Sequence, residues 1–362
     1  MRVALYVNHL SFVSSTARIA KVLAQEFKAL GHEPFLVVNR PPVELATEFP
    51  VFVLKRKSEP LRAYELGKLL RNADACLAFM RPQSVIAAQT RLLYPSLKTA
   101  LVGSVHNADN YLKYNKTYQL PFRLLTKFLL ERLDRLVVIS EGVKEDLREA
   151  FFIKEEKLTY VPNPVETEWV RSLADEPLPE KDEELFKRPV VINVARHERQ
   201  KGLSYLLKAF ARALKEAELN LVLVGEGRET PYLKRLAEEL KIKPFVHFLG
   251  WRKNPFPLMK RARVFALTSL WEGLGMVLLE SFTLGLPTLA YETRGGHVEL
   301  LRGVAPLIPF PDEEAYAREL LGLVFDEGKR ARVIEAQYGK LKAFEPERVA
   351  RAYEELFKAL TR

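Results

Sequence analysis

Short runs of consecutive apolar residues alternate along this chain with longer stretches in which apolar side chains recur every three or four positions. RVALYV comes first, and the stretch from Thr16 to Leu30 then carries helical spacing until Gly31-His32 ends it. FLVV, VFVL, ACLAF, TALVGSV and RLVVIS follow as further short runs, with helical patterns such as LRAYELGKLLR between several of them. Strands that alternate with helices predict an α/β fold, a parallel sheet covered on both faces.

The alternation pauses at Val161-Pro162-Asn163-Pro164-Val165, where two prolines bracket an Asn and neither helix nor strand can continue. We read this as a domain linker. After the charged stretch EPLPEKDEELFKRP, six new runs appear: VVINVA, LNLVLVG, FVHFLG, RVFALTS, LPTLAY and VAPLIP. The pattern predicts a second parallel sheet between 166 and about 310, then two closing helices, the last starting near Pro346. The expected domains are 1–164 and 165–345, similar in architecture but without the fixed-period repeat of a solenoid.

Composition supports two cores. Of 362 residues 48% are apolar and 28% charged, which excludes wholesale disorder. The single Cys76 cannot form an internal disulfide or supply a Cys-rich metal site, and it fits a reducing compartment. No run of 18 apolar residues occurs, and MRVALYVNHLSF is too short for a secretory signal, so a soluble cytoplasmic protein is expected. Lys and Arg number 56 against 46 Asp and Glu, and the resulting +10 favours anionic partners: nucleotide phosphates, nucleic acid or acidic lipid.

Open parallel sheets bind ligands at the carboxyl ends of their strands, so chemistry is sought in strand-to-helix loops. The most informative loop follows RVFALTS: Glu272-Gly273-Leu274-Gly275, opening a helix at Met276. Its glycines permit close backbone approach to a ligand. Free N–H groups at Met276 and Val277 would stand at the positive helix end, suited to a phosphate. Glu280, one turn on, lies on the same helix face and can accept two ribose hydroxyls, while Glu272 reaches groups beyond the phosphates.

A Glu, seven residues and a second Glu after a strand, then Gly285-Leu286-Pro287, resembles the retaining nucleotide-sugar glycosyltransferases of family 4, which have the GT-B fold. Further segments match in order: Asn193-Val194-Ala195-Arg196 with Lys201-Gly202-Leu203, Leu223-Val224-Gly225-Glu226-Gly227, Phe248-Leu249-Gly250, and Gly295-Gly296-His297-Val298-Glu299. The resemblance spans nearly all of 190–301. It implies two Rossmann-like domains facing across a cleft, with the last helix crossing back to the first domain.

Arg196 and Lys201 have a physical reason of their own. A diphosphate leaving group carries about two negative charges, and the chain has no Asp-x-Asp pair to hold a divalent ion, so fixed cations would do that work. No metal or cofactor beyond the nucleotide sugar is expected. Gly225-Glu226-Gly227 could begin a dinucleotide fingerprint, but Thr230 stands where its third glycine belongs and Glu226 would repel a pyrophosphate.

In the first half, His106 ends TALVGSV and matches the family's first-domain histidine that faces the donor sugar; its alternative is a satisfied polar residue. The first strand-to-helix loop departs from the family pattern, with Val13-Ser14-Ser15-Thr16-Ala17-Arg18 where paired glycines are common. Ser14 and Ser15 can still donate hydrogen bonds on the acceptor side, and Arg18 either touches ligand or lies on a solvated helix face.

Residues 111–135 hold six basic and two acidic side chains among three Tyr and two Phe. Such a segment either lies on anionic lipid or packs its apolar face on the sheet. Nucleic acid is not an expected partner, because no recognition signature accompanies the charge. The resemblance implies transfer of a sugar, with retention, from a nucleoside diphosphate donor (UDP favoured) to a saccharide or lipid-linked acceptor. His106, Arg196, Lys201 and Glu272 would be catalytic. Gly225, Gly250, Gly273, Leu274, Gly275, Met276, Val277 and Glu280 would bind the donor. The rivals are an epimerase or phosphorylase on the same fold, and a non-catalytic basic binding protein.

Overall fold

The computed structural model describes residues 1–11, 14–41, 43–106 and 120–361. Two compact units divide the chain, one of 1–165 with 343–362 and the other of 166–342.

The first unit is built on a seven-stranded parallel sheet. Its strands are β1 (Arg2–Val7), β2 (Glu33–Val38), β3 (Val51–Val53), β4 (Ala75–Phe79), β5 (Ala100–Val105), β6 (Arg135–Val138) and β7 (Leu158–Tyr160), in the order β3-β2-β1-β4-β5-β6-β7. β4 and β5 are buried at every position, which is why they read as unbroken apolar runs rather than alternating ones. Helix Ser15–Ala29 starts where the Ser14 hydroxyl accepts the Ala17 N–H, an N-cap.

The last helix, Pro346–Leu360, returns to this first unit. It buries Val349, Ala350, Tyr353 and Phe357, and Phe357 meets Phe27 of helix Ser15–Ala29 with ring centroids 5.8 Å apart. Glu354 Oε1 lies 3.0 Å from His32 Nε2.

The second unit carries a six-stranded parallel sheet of β8 (Val190–Val194), β9 (Asn220–Val224), β10 (Val246–Gly250), β11 (Val264–Leu267), β13 (Thr288–Glu292) and β15 (Leu307–Pro309), ordered β10-β9-β8-β11-β13-β15. A separate pair, β12 (Trp271–Glu272) and β14 (Arg294–Gly295), runs in parallel beyond the main sheet. Helix Leu203–Ala213 buries Leu206, Leu207 and Phe210 in a core shared with Val191, Leu221, Leu289 and Tyr316. The order reverses between β8 and β11, the place where open parallel sheets take ligands.

Candidate active site

In the second unit, the loops at the carboxyl ends of the central strands are sewn together by their backbones. The Ala195 N–H donates to Val224 O (3.0 Å), His197 N–H to Glu226 O (2.9 Å) and Gly225 N–H to Gly250 O (2.8 Å). Gly225 has φ +129°, and a Cβ there would stand 1.9 Å from the Ala195 carbonyl oxygen. Only glycine permits that crossing. Gly250 lies at the other end of the same hydrogen bond, so both glycines shape the loop floor. Arg196, at the end of this stretch, is exposed.

A second seam joins the turn Arg199–Lys201 to the loop after β11. Leu270 N–H donates to Gln200 O (2.7 Å), Gln200 Nε2 to Trp271 O (2.9 Å), and Thr268 Oγ1 to Lys201 O (3.1 Å). The seam sets Lys201 Nζ 2.5 Å from Glu272 Oε1. The same carboxylate oxygen accepts from Ser269 Oγ at 2.7 Å. Burial alone would raise the Glu272 pKa; the Lys201 charge, with the hydrogen bonds from Lys201 and Ser269, overrides burial and holds the carboxyl below its ordinary range. Glu272 is therefore an oriented carboxylate with one oxygen engaged twice.

The third support comes from the β12–β14 pair. Gly295 has φ +129°, and a Cβ on it would lie 2.0 Å from the Glu272 carbonyl oxygen. Gly296 N–H donates to Gly273 O (3.1 Å), fixing the loop from the far side. Thr293 Oγ1 donates to Ser269 O (2.8 Å) and then, its hydrogen spent, accepts from His297 Nε2 at 2.9 Å. Burial depresses the His297 pKa to about 4, so the ring is neutral.

Helix Met276–Thr283 opens behind this loop from Gly275. Leu274 is buried, while Met276 and Val277 are half-buried at the first turn, and Glu280 is buried one turn on. Glu272, Gly273, Gly275, Met276, Val277 and Glu280 thus share one strand-to-helix junction, and Lys201 is brought to it from the β8 loop.

Ser269 closes the RVFALTS run that leads into this loop, whereas Gln200 and Thr293 carry no signal in the sequence. Both act by bonding across sequence gaps, and no periodicity or motif marks such a residue. His197 is buried, with Nδ1 2.9 Å from Thr230 Oγ1, and burial lowers its pKa. It braces the β8 and β9 loops against each other.

In the first unit, His106 follows β5 and is 7% exposed. Its Nε2 lies 2.9 Å from Ser104 Oγ, and its ring packs beside Phe79. Burial drives its pKa down to about 4, leaving a neutral imidazole. Ser14 is occupied as the helix cap, Ser15 is exposed, and Arg18 is half-buried on the first turn. Val13 and the residues 111–119 of the basic segment lie outside the described residues. Its described part, helix Leu120–Leu130, buries Thr126, Leu129 and Leu130 and exposes Leu120, Leu124, Leu125 and Phe128. Its inner face packs against helices Met80–Leu93 and Glu141–Phe151, while an apolar outer face remains exposed on the same helix. No helix among the described residues is long and apolar enough to cross a membrane.

Comparison with known proteins bears on both units. The profile of the "Glycosyl transferases group 1" family matches residues 176–340, and that of "Glycosyltransferase Family 4" matches 16–169. An uncharacterized glycosyltransferase of Methanocaldococcus jannaschii, MJ1059, is 31% identical over 180 residues, 49% of this chain but 44% of that one. The Campylobacter jejuni N-acetylgalactosamine-N,N'-diacetylbacillosaminyl-diphospho-undecaprenol 4-alpha-N-acetylgalactosaminyltransferase is 26% identical over 303 residues, 83% of this chain and 80% of that one. In three dimensions the chain matches Anabaena HepE, crystallised with UDP and glucose, with a TM-score of 0.81 at 18% identity over 99% of this chain and 100% of that one. With a family profile on each unit and the fold of a known transferase throughout, the chain belongs to the GT-B glycosyltransferases and resembles family 4.

Proposed function

We propose that the protein transfers a sugar, with retention, from a UDP-sugar to a hydroxyl of a saccharide or lipid-linked acceptor. The observation that carries this reading is the Lys201–Glu272 pair at the mouth of helix Met276–Thr283, where a cation, a carboxylate and first-turn amides meet. In this reading Arg196, Lys201 and the amides of Met276 and Val277 neutralise charge growing on the departing diphosphate, a preorganised electrostatic role. Glu280 accepts the ribose hydroxyls. Glu272, kept ionised and with one oxygen already engaged, turns its remaining lone pairs to the hydroxyls of the donor sugar. His106, whose ring burial keeps neutral, is assigned the sugar-facing role that the family resemblance implies. Fixed cations stand in for a divalent metal, so transfer should proceed in excess EDTA.

The C. jejuni relative is named for a diphospho-undecaprenol acceptor, and HepE was crystallised with UDP; both fit this assignment. A lipid-linked acceptor also gives a purpose to the exposed Leu120, Leu124, Leu125 and Phe128, flanked by Arg123 and Lys127, which we assign to peripheral contact with anionic lipid. Calorimetry with UDP, GDP and ADP on the wild type and on Arg196→Ala with Lys201→Ala tests the donor site. Loss of UDP binding in the double variant is expected; unchanged affinity would remove the phosphate assignment. A panel of nucleotide sugars incubated with membrane lipid extract and read by mass spectrometry then identifies donor and acceptor.

A further inference from the structure

The last helix does more than cover the first sheet. Its Tyr353, 2% exposed, places the phenolic oxygen 3.4 Å from Ser104 Oγ, and Ser104, fully buried, lies 2.9 Å from His106 Nε2. Tyr353 and His106 are far apart in sequence and joined only through that one hydroxyl. His106 Nδ1 is buried and has no partner among the described residues.

The hydrogens of this chain can be assigned by counting. Burial raises the Tyr353 pKa, so the phenol keeps its hydrogen, and Ser104 is its partner. If Tyr353 donates to Ser104, the Ser104 hydrogen passes to His106 Nε2, and every hydroxyl hydrogen has an acceptor. The opposite polarity leaves a buried phenolic hydrogen with no acceptor among the described residues, which is costly.

We propose that Tyr353 and Ser104 are positioning residues that lock His106 as the Nδ1–H tautomer, making it a hydrogen-bond donor to an oxygen of the bound sugar rather than a proton acceptor. This rests on the reading of His106 as a sugar-facing residue. The C-terminal helix thereby sets the chemistry of a side chain at the end of a strand in the middle of the chain.

Long-range proton–nitrogen spectra of the full-length protein labelled with nitrogen-15 histidine report the tautomer directly. The wild type should show Nδ1 protonated and Nε2 bare. Tyr353→Phe keeps the ring but frees Ser104 to rotate, so His106 should become a mixture of tautomers. Its kcat/KM should fall about three- to tenfold, the scale of one hydrogen bond, with UDP affinity unchanged. Ser104→Ala should give the same spectral change by a shorter route, and melting curves with UDP titration check that each variant remains folded. An Nε2-protonated wild type, or an unchanged tautomer in both folded variants, overturns the relay. His106→Ala separates the two levels: full transfer activity there would defeat the sugar-facing reading while leaving the tautomer assignment standing.

Discussion

Lys201 Nζ and Glu272 Oε1 sit 2.5 Å apart with side chains 17% and 9% exposed, and they join two loops that the sequence separates widely. A pair this enclosed is costly to break from one side, since removing one partner leaves the other charge buried alone. Lys201→Ala should destabilise the second unit by about 3–5 kcal/mol. Adding Glu272→Gln should recover a good part of that loss. Urea unfolding of the two variants checks the sign of the difference, and a double variant less stable than the single one would contradict it.

His106 and His297 lie in different units, and both have folded pKa values pushed to about 4 by burial. An unfolded histidine titrates near ~6.5, so between those values the unfolded chain binds more protons than the folded one. Their contribution is complete above about pH 6.5 and drains away as pH falls towards 4. The loss is at most about 3 kcal/mol for each ring. Unfolding midpoints measured from neutral pH downwards should fall, and His297→Gln should flatten the fall for the second unit.

Gly295 and Gly303 make a matched pair of substitutions. Both have positive φ, +129° and +76°, but a Cβ at Gly295 meets the Glu272 carbonyl oxygen at 2.0 Å while one at Gly303 meets nothing within 4 Å. Gly303→Ala should cost about 1 kcal/mol of backbone strain, and Gly295→Ala several times that. Only Gly295→Ala should also weaken UDP binding, because it displaces the Glu272-Gly273 backbone that leads into the first-turn amides of Met276 and Val277. Differential scanning calorimetry with and without UDP reads both effects.

Leu124, Leu125 and Phe128 are 49%, 57% and 45% exposed on helix Leu120–Leu130. Replacing all three with Gln should abolish sedimentation with anionic vesicles, yet leave the melting temperature and UDP affinity of the protein where they were. Vesicle binding that survives the triple change would move the lipid contact elsewhere.

Much of this architecture is readable from residue order alone. ACLAF and LNLVLVG are buried on both faces, so their apolar runs declare strands, and the glycines and carboxylates around Glu272 announce a loop at a strand end. β7 (Leu158–Tyr160) and the β12–β14 pair are hidden in residue order, because Leu158-Thr159-Tyr160 is not an unbroken apolar run and strands of two residues carry no periodicity. Lys201 was legible as a cation near the site, but its engagement with Glu272 depends on where two loops cross. Ser14 reads as a hydrogen-bond donor on the acceptor side, and its second role, accepting the Ala17 N–H as a helix cap, depends on local backbone geometry. Thr293, Gln200 and Tyr353 are invisible for one shared reason: each works by hydrogen bonding to a partner far along the chain.

The Val165 N–H donates to the carbonyl of Phe344 at 2.9 Å, so the chain leaves the first unit and re-enters it at adjoining points. In genetic terms, the second unit is an insert whose two ends are neighbours. A short Gly-Ser bridge in place of 166–342 should therefore give a stand-alone, cooperatively melting protein, whereas simple truncation after 165 should not, because it discards the Tyr353 and Phe357 side chains that close the hydrophobic interior. During synthesis on the ribosome, the first unit cannot mature until the final helix has emerged, so the inserted module has time to fold ahead of its host.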